Sequence, residues 1–224
     1  MNAGVNQRIE REIRIAAGGE EEILGTLCVP PGALGLVIFA HGSGSGRFSP
    51  RNRHVAAVLE RAGLATLLLD LLTAREEAID AVDASLRFDI VLLSARLALA
   101  RYAADEWPQT RGLRIGFFGA STGAAAAIVA AAHMPGEIAA IVSRGGRPDL
   151  ARDALRRVDA PTLFIVGSAD PEVLELNEQA QQRMRNAPGE IAIVRGATHL
   201  FEEPGTLEEV ARLARDFFLR YCSD

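Results

Sequence analysis

The sequence lacks several features that would point to particular kinds of protein. It has two cysteines, Cys28 and Cys222, at opposite ends of the chain, and this predicts neither a disulfide framework nor a metal site. It has no basic excess, since 24 Lys and Arg stand against 29 Asp and Glu. A nucleic-acid partner is therefore not expected, because phosphate binding needs a basic surface.

Long hydrophobic runs are also missing. No apolar run approaches the roughly 18 residues that a membrane span needs, and residues 1–19 have no apolar signal core. We therefore expect no membrane partner. The sparse cysteines fit a reducing compartment, so we expect a cytoplasmic location.

Short apolar runs alternate with segments of helical periodicity along most of the chain. The predicted strands cover residues 34–40, 64–71, 113–119, 138–143, 161–167 and 190–194. The predicted helices cover residues 52–63, 88–104, 122–133, 149–157, 173–186 and 207–221. Strands that alternate with helices indicate an α/β fold, with a mostly parallel sheet covered on both faces.

Two further segments complete the predicted organisation. Arg8–Ile15 and Glu22–Val29 flank Gly18-Gly19 and predict an antiparallel hairpin at a sheet edge. Thr73–Arg87 is acidic and loop-like, and part of it is compatible with a helix. The sequence does not decide whether Thr73–Ser85 acts as a lid. With no linker or repeat, we expect one domain over residues 1–224 and no large cap domain.

The most informative motif is the pentapeptide Gly119-Ala120-Ser121-Thr122-Gly123. It follows an apolar run and precedes an alanine-rich one, as in the strand–turn–helix called a nucleophile elbow, which characterises α/β-hydrolases. The sharp turn strains the serine backbone and needs small residues two positions away on either side. Ser121 is therefore the predicted nucleophile.

His199 and Asp170 are the predicted partners of this serine. Each follows a late strand, so both should lie with Ser121 at the carboxyl edge of the sheet. The order serine, acid, histidine is the one that this fold uses. Alternatively, Asp170 caps the following helix, in which case Asp149 or Glu172 supplies the acid.

The remaining candidate residues surround the nucleophile. An oxyanion hole needs two backbone donors, and we expect them from Thr122 and from Gly42 or Ser43 in the loop His41-Gly42-Ser43-Gly44-Ser45-Gly46. A merely flexible turn is the alternative for this loop. His41 and Arg144 are candidate substrate-binding residues. Arg144 would favour an anionic substrate, unless it is a solvated or carboxylate-paired loop arginine.

These motifs together resemble the α/β-hydrolase superfamily, and within it the dienelactone-hydrolase-like branch. The resemblance rests on His41–Gly44, Gly119–Gly123, Asp170 and His199, and the order of strands and helices matches over residues 7–222. Dienelactone hydrolases proper use a cysteine nucleophile, and this chain has Ser121 in its place. The resemblance therefore implies a serine esterase.

The leading hypothesis is a serine hydrolase that acts on a small-molecule carboxylic ester, thioester or lactone. An acyltransferase or perhydrolase would use the same triad. A dinucleotide-binding protein is a third hypothesis, in which Gly42–Gly46 would be the glycine-rich phosphate loop and Asp70 the ribose-binding acid. Against it, Arg47 stands where that motif has its third glycine, and Pro50 interrupts the helix that should begin there. A binding protein without activity is the last alternative. We expect no cofactor and no metal, and a monomer or homodimer.

Overall fold

The computed structural model describes residues 7–223, and an eight-stranded sheet runs through them. The strands are β1 (Ile9–Gly18), β2 (Glu21–Val29), β3 (Leu36–Ala40), β4 (Ala65–Leu69), β5 (Ile115–Ala120), β6 (Ala140–Arg144), β7 (Thr162–Gly167) and β8 (Gly189–Val194). The α-helices of the described residues are α1 (Pro50–Arg61), α2 (Ala74–Asp83), α3 (Ile90–Glu106), α4 (Thr122–His133), α5 (Ala154–Arg157), α6 (Pro171–Arg183) and α7 (Thr206–Cys222).

The sheet is parallel except at the N-terminal hairpin. Its strand order is β1-β2-β4-β3-β5-β6-β7-β8. β1 pairs antiparallel with β2, and β2 antiparallel with β4, while every later pairing is parallel. The turn between β1 and β2 uses Gly18 and Gly19, both at positive φ. This confirms the predicted α/β-hydrolase fold with its edge hairpin.

Two hydrophobic cores lie on opposite faces of this sheet. On β3, Leu36 and Ile38 enter one core, whereas Val37 and Phe39 enter the other. α3 and α4 cover the first face, and α1 and α7 cover the second. Burial on both faces explains why the central strands are unbroken apolar runs, and it fixes their carboxyl ends along one edge.

The segment after β4 was predicted to be loop-like with part of it helical, and the structure forms a helix, α2, over most of it, at residues 74–83. Thr73 accepts a hydrogen bond from the amide of Glu76, and the Glu76 carboxylate accepts one from the amide of Thr73. This reciprocal capping box stabilises the first turn of an acidic helix. The spacing of Thr73 and Glu76 was the signal that the prediction missed.

The single helix predicted over residues 149–157 was also wrong in detail. A short 3-10 helix, Pro148–Ala151, is followed by α5. Arg152 separates them with φ 50°, a conformation that ends a right-handed helix.

None of the described helices has the length and hydropathy that a membrane crossing requires.

Candidate active site

Ser121 stands at the sharp turn between β5 and α4. Its φ of 51° and ψ of −119° lie in a sparsely populated region that persists only where the surroundings enforce it. A Cβ on Gly119 would overlap the backbone of Ala124, and one on Gly123 would overlap the carbonyl oxygen of Ala40. The two glycines thus let the strand and the helix approach closely enough to form the turn.

Backbone hydrogen bonds hold Ser121 in this conformation. Its amide donates to the carbonyl of Arg144 at 3.2 Å, and its carbonyl accepts from the amides of Ala124 and Arg147 at 3.1 Å each. The backbone of the serine is therefore fixed on both sides.

The predicted acid and base are in contact. His199 Nδ1 lies 2.8 Å from Asp170 Oδ2. Asp170 is the residue that precedes α6, yet its side chain makes no capping bond to that helix. The alternative acid Asp149 is held elsewhere, because both of its carboxylate oxygens accept from Arg147, at 2.9 and 2.8 Å. With Nδ1 bonded to a carboxylate, Nε2 is the ring nitrogen left for a nucleophile.

The loop that carries His199 is anchored on both sides of the imidazole. A Cβ on Gly167 would overlap the carbonyl oxygen of Ala197, so β7 and this loop pack without a gap. Phe201 is 1% exposed and has φ 56°. Glu203 accepts from the amide of Thr198 at 3.1 Å and from its hydroxyl at 2.6 Å. Sequence reasoning missed these supports, since neither the positive φ of Phe201 nor the close packing of β7 against this loop corresponds to a pattern in the sequence.

The glycine-rich loop after β3 lies against the serine. A Cβ on Gly42 would stand 3.2 Å from Ser121 Cβ. Ser43 Oγ lies 3.0 Å from Thr122 Oγ1 and donates to the carbonyl of Arg87 at 3.4 Å. As the first residue of α4, Thr122 has an amide with no partner inside the helix. The loop is tied to α4 by side-chain contact, which argues against a merely flexible turn.

His41 links this loop to the residues that follow β4. The amide of Leu71 donates to His41 Nε2 at 3.1 Å, so Nδ1 carries the proton and donates to the carbonyl of Gly42 at 2.9 Å. The ring is therefore neutral, and burial lowers the pKa of His41. A direct contact of His41 with substrate would require one of these bonds to break, and its substrate-binding role stays a prediction.

This arrangement predicts that His41 makes stability depend on pH. The unfolded chain has the ordinary histidine pKa of about 6.5, so below that pH it binds a proton that the folded ring resists. The contribution of His41 is thus complete above about pH 6.5 and is lost as the pH falls through the lower folded pKa, with a slope of at most about 1.4 kcal/mol per pH unit. Urea unfolding between pH 7.5 and 5 should show a shallower decline for His41→Gln than for the unmodified chain.

The matched control is His133→Gln, since His133 is exposed at the end of α4. It should keep the pH profile of the unmodified chain. Equal slopes for His41→Gln and the unmodified chain would contradict the role of His41.

A cavity of about 260 Å³ opens beside Ser121. It brings together the predicted residues Ser121, His199, Arg144, Gly42 and Ser43. Sequence reasoning missed the other residues that line it, which are Ser45, Ser49, Arg51, Asn52, Ala120 and Leu200. Most of them belong to the loop after β3 or to the first turn of α1, which follows that loop directly.

Arg144 is buried in this cavity rather than solvated. The residue is 8% exposed. Burial, together with the nearby positive charge of Arg51, lowers the pKa of Arg144 to about 10. The guanidinium therefore remains a cation at neutral pH.

A second cavity, of about 210 Å³, lies on the other side of the glycine-rich loop. Thr122, Leu72 and Leu93 line it together with Glu77 and Asp80 of α2. The segment Thr73–Ser85, for which the sequence did not decide a lid role, therefore forms one wall of a cavity next to the candidate site.

The glycine-rich loop also engages Asp70, the acid of the dinucleotide alternative. The amide of Arg47 donates to Asp70 Oδ1 at 2.8 Å, and Arg47 Nε lies 3.4 Å from Asp70 Oδ2. The carboxylate is thus used within the protein, which leaves that alternative without its ribose-binding acid.

The sequence model of the Dienelactone hydrolase family matches residues 26–222. The chain belongs to the dienelactone hydrolase family. This membership supports hydrolase activity in general and confirms the resemblance proposed from the motifs.

Solved structures agree with this membership. A dienelactone hydrolase from Anabaena variabilis, known from its crystal structure, is 52% identical in sequence to this chain. The two structures superpose with a TM-score of 0.93, and the alignment covers 97% of this chain and 100% of that one. An esterase of Pyrococcus furiosus is 17% identical with a TM-score of 0.72, over 96% of this chain and 93% of that one. At that identity, the second likeness shows the fold alone.

Two curated relatives, from two strains of Mycobacterium tuberculosis, are named "Putative phosphoribosyl transferase". They are 53% identical over 212 residues, which is 94% of this chain and 46% of each relative. The chain therefore spans about half the length of these relatives.

Proposed function

We propose that this member of the dienelactone hydrolase family is a serine hydrolase that cleaves a carboxylic ester, thioester or lactone through an acyl-enzyme. The observation that carries the proposal is the 2.8 Å contact between His199 and Asp170 beside a cavity that His199 shares with the strained Ser121. A serine hydroxyl becomes a useful nucleophile when a base accepts its proton and a third group orients that base.

In the proposed mechanism, Ser121 Oγ attacks the carbonyl carbon of the substrate while His199 Nε2 accepts the hydroxyl proton. Asp170 keeps the second proton of the ring on Nδ1 and stabilises the imidazolium. The imidazolium then gives its proton to the leaving oxygen or sulfur, and the acyl group stays on Ser121. A water activated by the same histidine releases the acid and restores the serine.

The negative charge on the carbonyl oxygen needs donors that are in place before the reaction. We assign this role to the amide of Thr122 and to that of Gly42 or Ser43. The start of α4 adds the positive end of a helix dipole. The contact between the Ser43 and Thr122 hydroxyls, at 3.0 Å, supports the assignment, because it keeps the loop and the helix start at a fixed separation.

Hydrolysis is favoured over acyl transfer by the exposure of the base. The His199 side chain is 39% exposed, so water reaches it directly, whereas transfer to another acceptor requires water to be excluded. The name of the Mycobacterium tuberculosis relatives does not alter the proposal, since this chain spans 46% of them and matches the hydrolase family over residues 26–222.

A fluorophosphonate probe tests the proposal, because it reacts with serines that a base activates. We expect the folded protein to gain one label, and peptide mapping to place it on Ser121. Heat-denatured protein is the control and should not react. Labelling of Ser43 or Ser45, or no labelling of the folded protein, would refute the assignment.

A further inference from the structure

The turn Gly145-Gly146-Arg147 follows β6 and lies between the predicted nucleophile and the predicted base; we call it the β6 turn. On one side, the amide of Arg147 donates to the carbonyl of Ser121 at 3.1 Å. On the other side, a Cβ on Gly145 would stand 3.1 Å from the carbonyl oxygen of His199 and 3.5 Å from its Nδ1. The turn therefore contacts both the elbow and the histidine loop, so its position affects the distance between them.

The β6 turn fits into this place because two of its residues have no side chain. A Cβ on Gly146 would overlap Ser143 Oγ and would stand 2.7 Å from Ala124 Cβ, in the first turn of α4. Gly145 has φ 49°, which glycine adopts without strain. Its amide donates to the carbonyl of Ile165 in β7 at 2.8 Å. The turn is thus packed against the elbow helix and bonded to the strand that leads to the predicted acid.

Asn177 joins the β6 turn to the helix that begins beside Asp170. It lies on α6, about two helical turns beyond Asp170. Its side chain is fully buried, and Nδ2 donates to the carbonyl of Gly146 at 3.0 Å and to that of Val173 at 2.7 Å. The helix that follows the acid is therefore bonded, through one side chain, to the turn that contacts the nucleophile and the base.

The burial of this amide indicates what it is for. Burial of a polar side chain costs free energy that hydrogen bonds must offset. Both partners of the side chain are carbonyl oxygens, so the nitrogen is the atom that must face them. Asn177 Oδ1 has no partner within the part of the chain that the structure describes. The donor is therefore the part of the side chain that the fold uses, and it holds the Gly146 carbonyl.

We propose that Asn177 is a positioning residue for the predicted triad and that it acts through the β6 turn. Asn177 fixes the turn on α6. The turn in turn holds the carbonyl of Ser121 through Arg147 and stands against His199 through Gly145. A hydrogen bond outside the cavity beside the nucleophile thus helps to set the distance from the nucleophile to the base. This inference rests on the proposed function and adds to it a residue that contacts no reacting atom.

Replacement of Asn177 by leucine removes the donor and keeps a side chain of similar size. We expect kcat for a 4-nitrophenyl ester to fall by about ten- to a hundredfold with KM nearly unchanged. A displacement of about 1 Å misaligns the reacting groups, whereas no substrate contact is lost.

Gln181→Met is the matched control. Gln181 lies about one turn further along α6, and its amide also donates to a glycine carbonyl, that of Gly189 at 2.7 Å. That glycine begins β8 and does not line the cavity beside Ser121. Gln181→Met should therefore keep the unmodified kcat. Equal kcat in Gln181→Met and Asn177→Leu would overturn the proposal.

Gly145→Ala tests the same turn from its other side and does not depend on the folding of Asn177→Leu. Its Cβ would crowd the carbonyl and the ring of His199, so we expect a loss of kcat of similar size. The control is Gly136→Ala, since Gly136 also has a positive φ, of 77°, but has no atom within 4 Å of an added Cβ. Both variants place alanine in the left-handed region. Equal kcat in the two alanine variants would refute the role of the turn.

A signal from His199 itself separates this proposal from the proposed function. In proton NMR spectra, the Nδ1 proton that bonds to Asp170 should appear far downfield, because a charge-assisted hydrogen bond deshields it, and it should be absent from His199→Ala. We expect the signal to shift or broaden in Asn177→Leu and to stay in place in Gln181→Met. An unchanged signal in Asn177→Leu would overturn the proposal. If the unmodified chain cleaves no ester, the proposed function fails, and this signal still decides whether Asn177 positions the base.

Discussion

Replacement of His199 by alanine is expected to lower kcat at least about a thousandfold while leaving the fold intact. Without the imidazole, no base accepts the proton of Ser121 and no acid protonates the leaving group. The side chain is partly exposed, and its contact is with Asp170 at 2.8 Å, so its removal leaves no cavity in the core. Steady-state kinetics on a 4-nitrophenyl ester, with circular dichroism and Tm for each variant, measure both effects.

Two other histidines provide matched controls. His54 lies on α1 and His133 at the end of α4, and neither lines the cavity beside Ser121. His54→Ala and His133→Ala should each turn over at nearly the unmodified rate. Near-normal kcat in His199→Ala would mean that another group is the base.

Much of the fold was predictable because its signals are local. The buried strands are continuous apolar runs, and the hairpin follows from Gly18-Gly19, whose positive φ values are the conformations that glycine allows most easily. The elbow is equally local, since Gly119 and Gly123 must be small for β5 and α4 to meet.

The surroundings of the site were less predictable because they depend on contacts between distant segments. β6 is buried along its whole length, so no alternation of polar and apolar residues showed which way Arg144 points. Its neighbour Arg51 comes from α1, far away in the sequence. Phe201 anchors the His199 loop and has φ 56°. Its residue type did not indicate this conformation, because a positive φ is unusual for a bulky residue.

α2 is an intermediate case. The reciprocal bonds between Thr73 and Glu76 correspond to a recognisable sequence spacing. The acidic composition of the segment, however, suggested a loop-like segment with only part of it helical. Because α2 forms a wall of the second cavity through Glu77 and Asp80, this helix is part of the surroundings of the site, and local sequence alone could not place it there.

Replacement of Asp170 by asparagine is expected to reduce kcat by about four orders of magnitude. Asparagine has nearly the same shape, but its amide group donates where the carboxylate accepts, so it favours the tautomer with the proton on Nε2. That tautomer cannot accept the proton of Ser121. Because the Asp170 side chain makes no capping bond to α6, the Tm should change little, and the loss should appear in kcat more than in KM.

Asp149→Asn and Glu172→Gln are the matched controls, since these were the alternative acids. Asp149 is held by Arg147 at 2.8 Å, so its replacement should affect the local pairing and leave kcat within about threefold, as expected for a group outside the reaction. Glu172 stands in the first turn of α6, where a carboxylate stabilises the helix dipole, and its replacement should have a similarly small effect on kcat. A large loss in either control, combined with a small loss in Asp170→Asn, would transfer the acid role away from Asp170. The 2.8 Å contact with His199 would then serve only to position the loop.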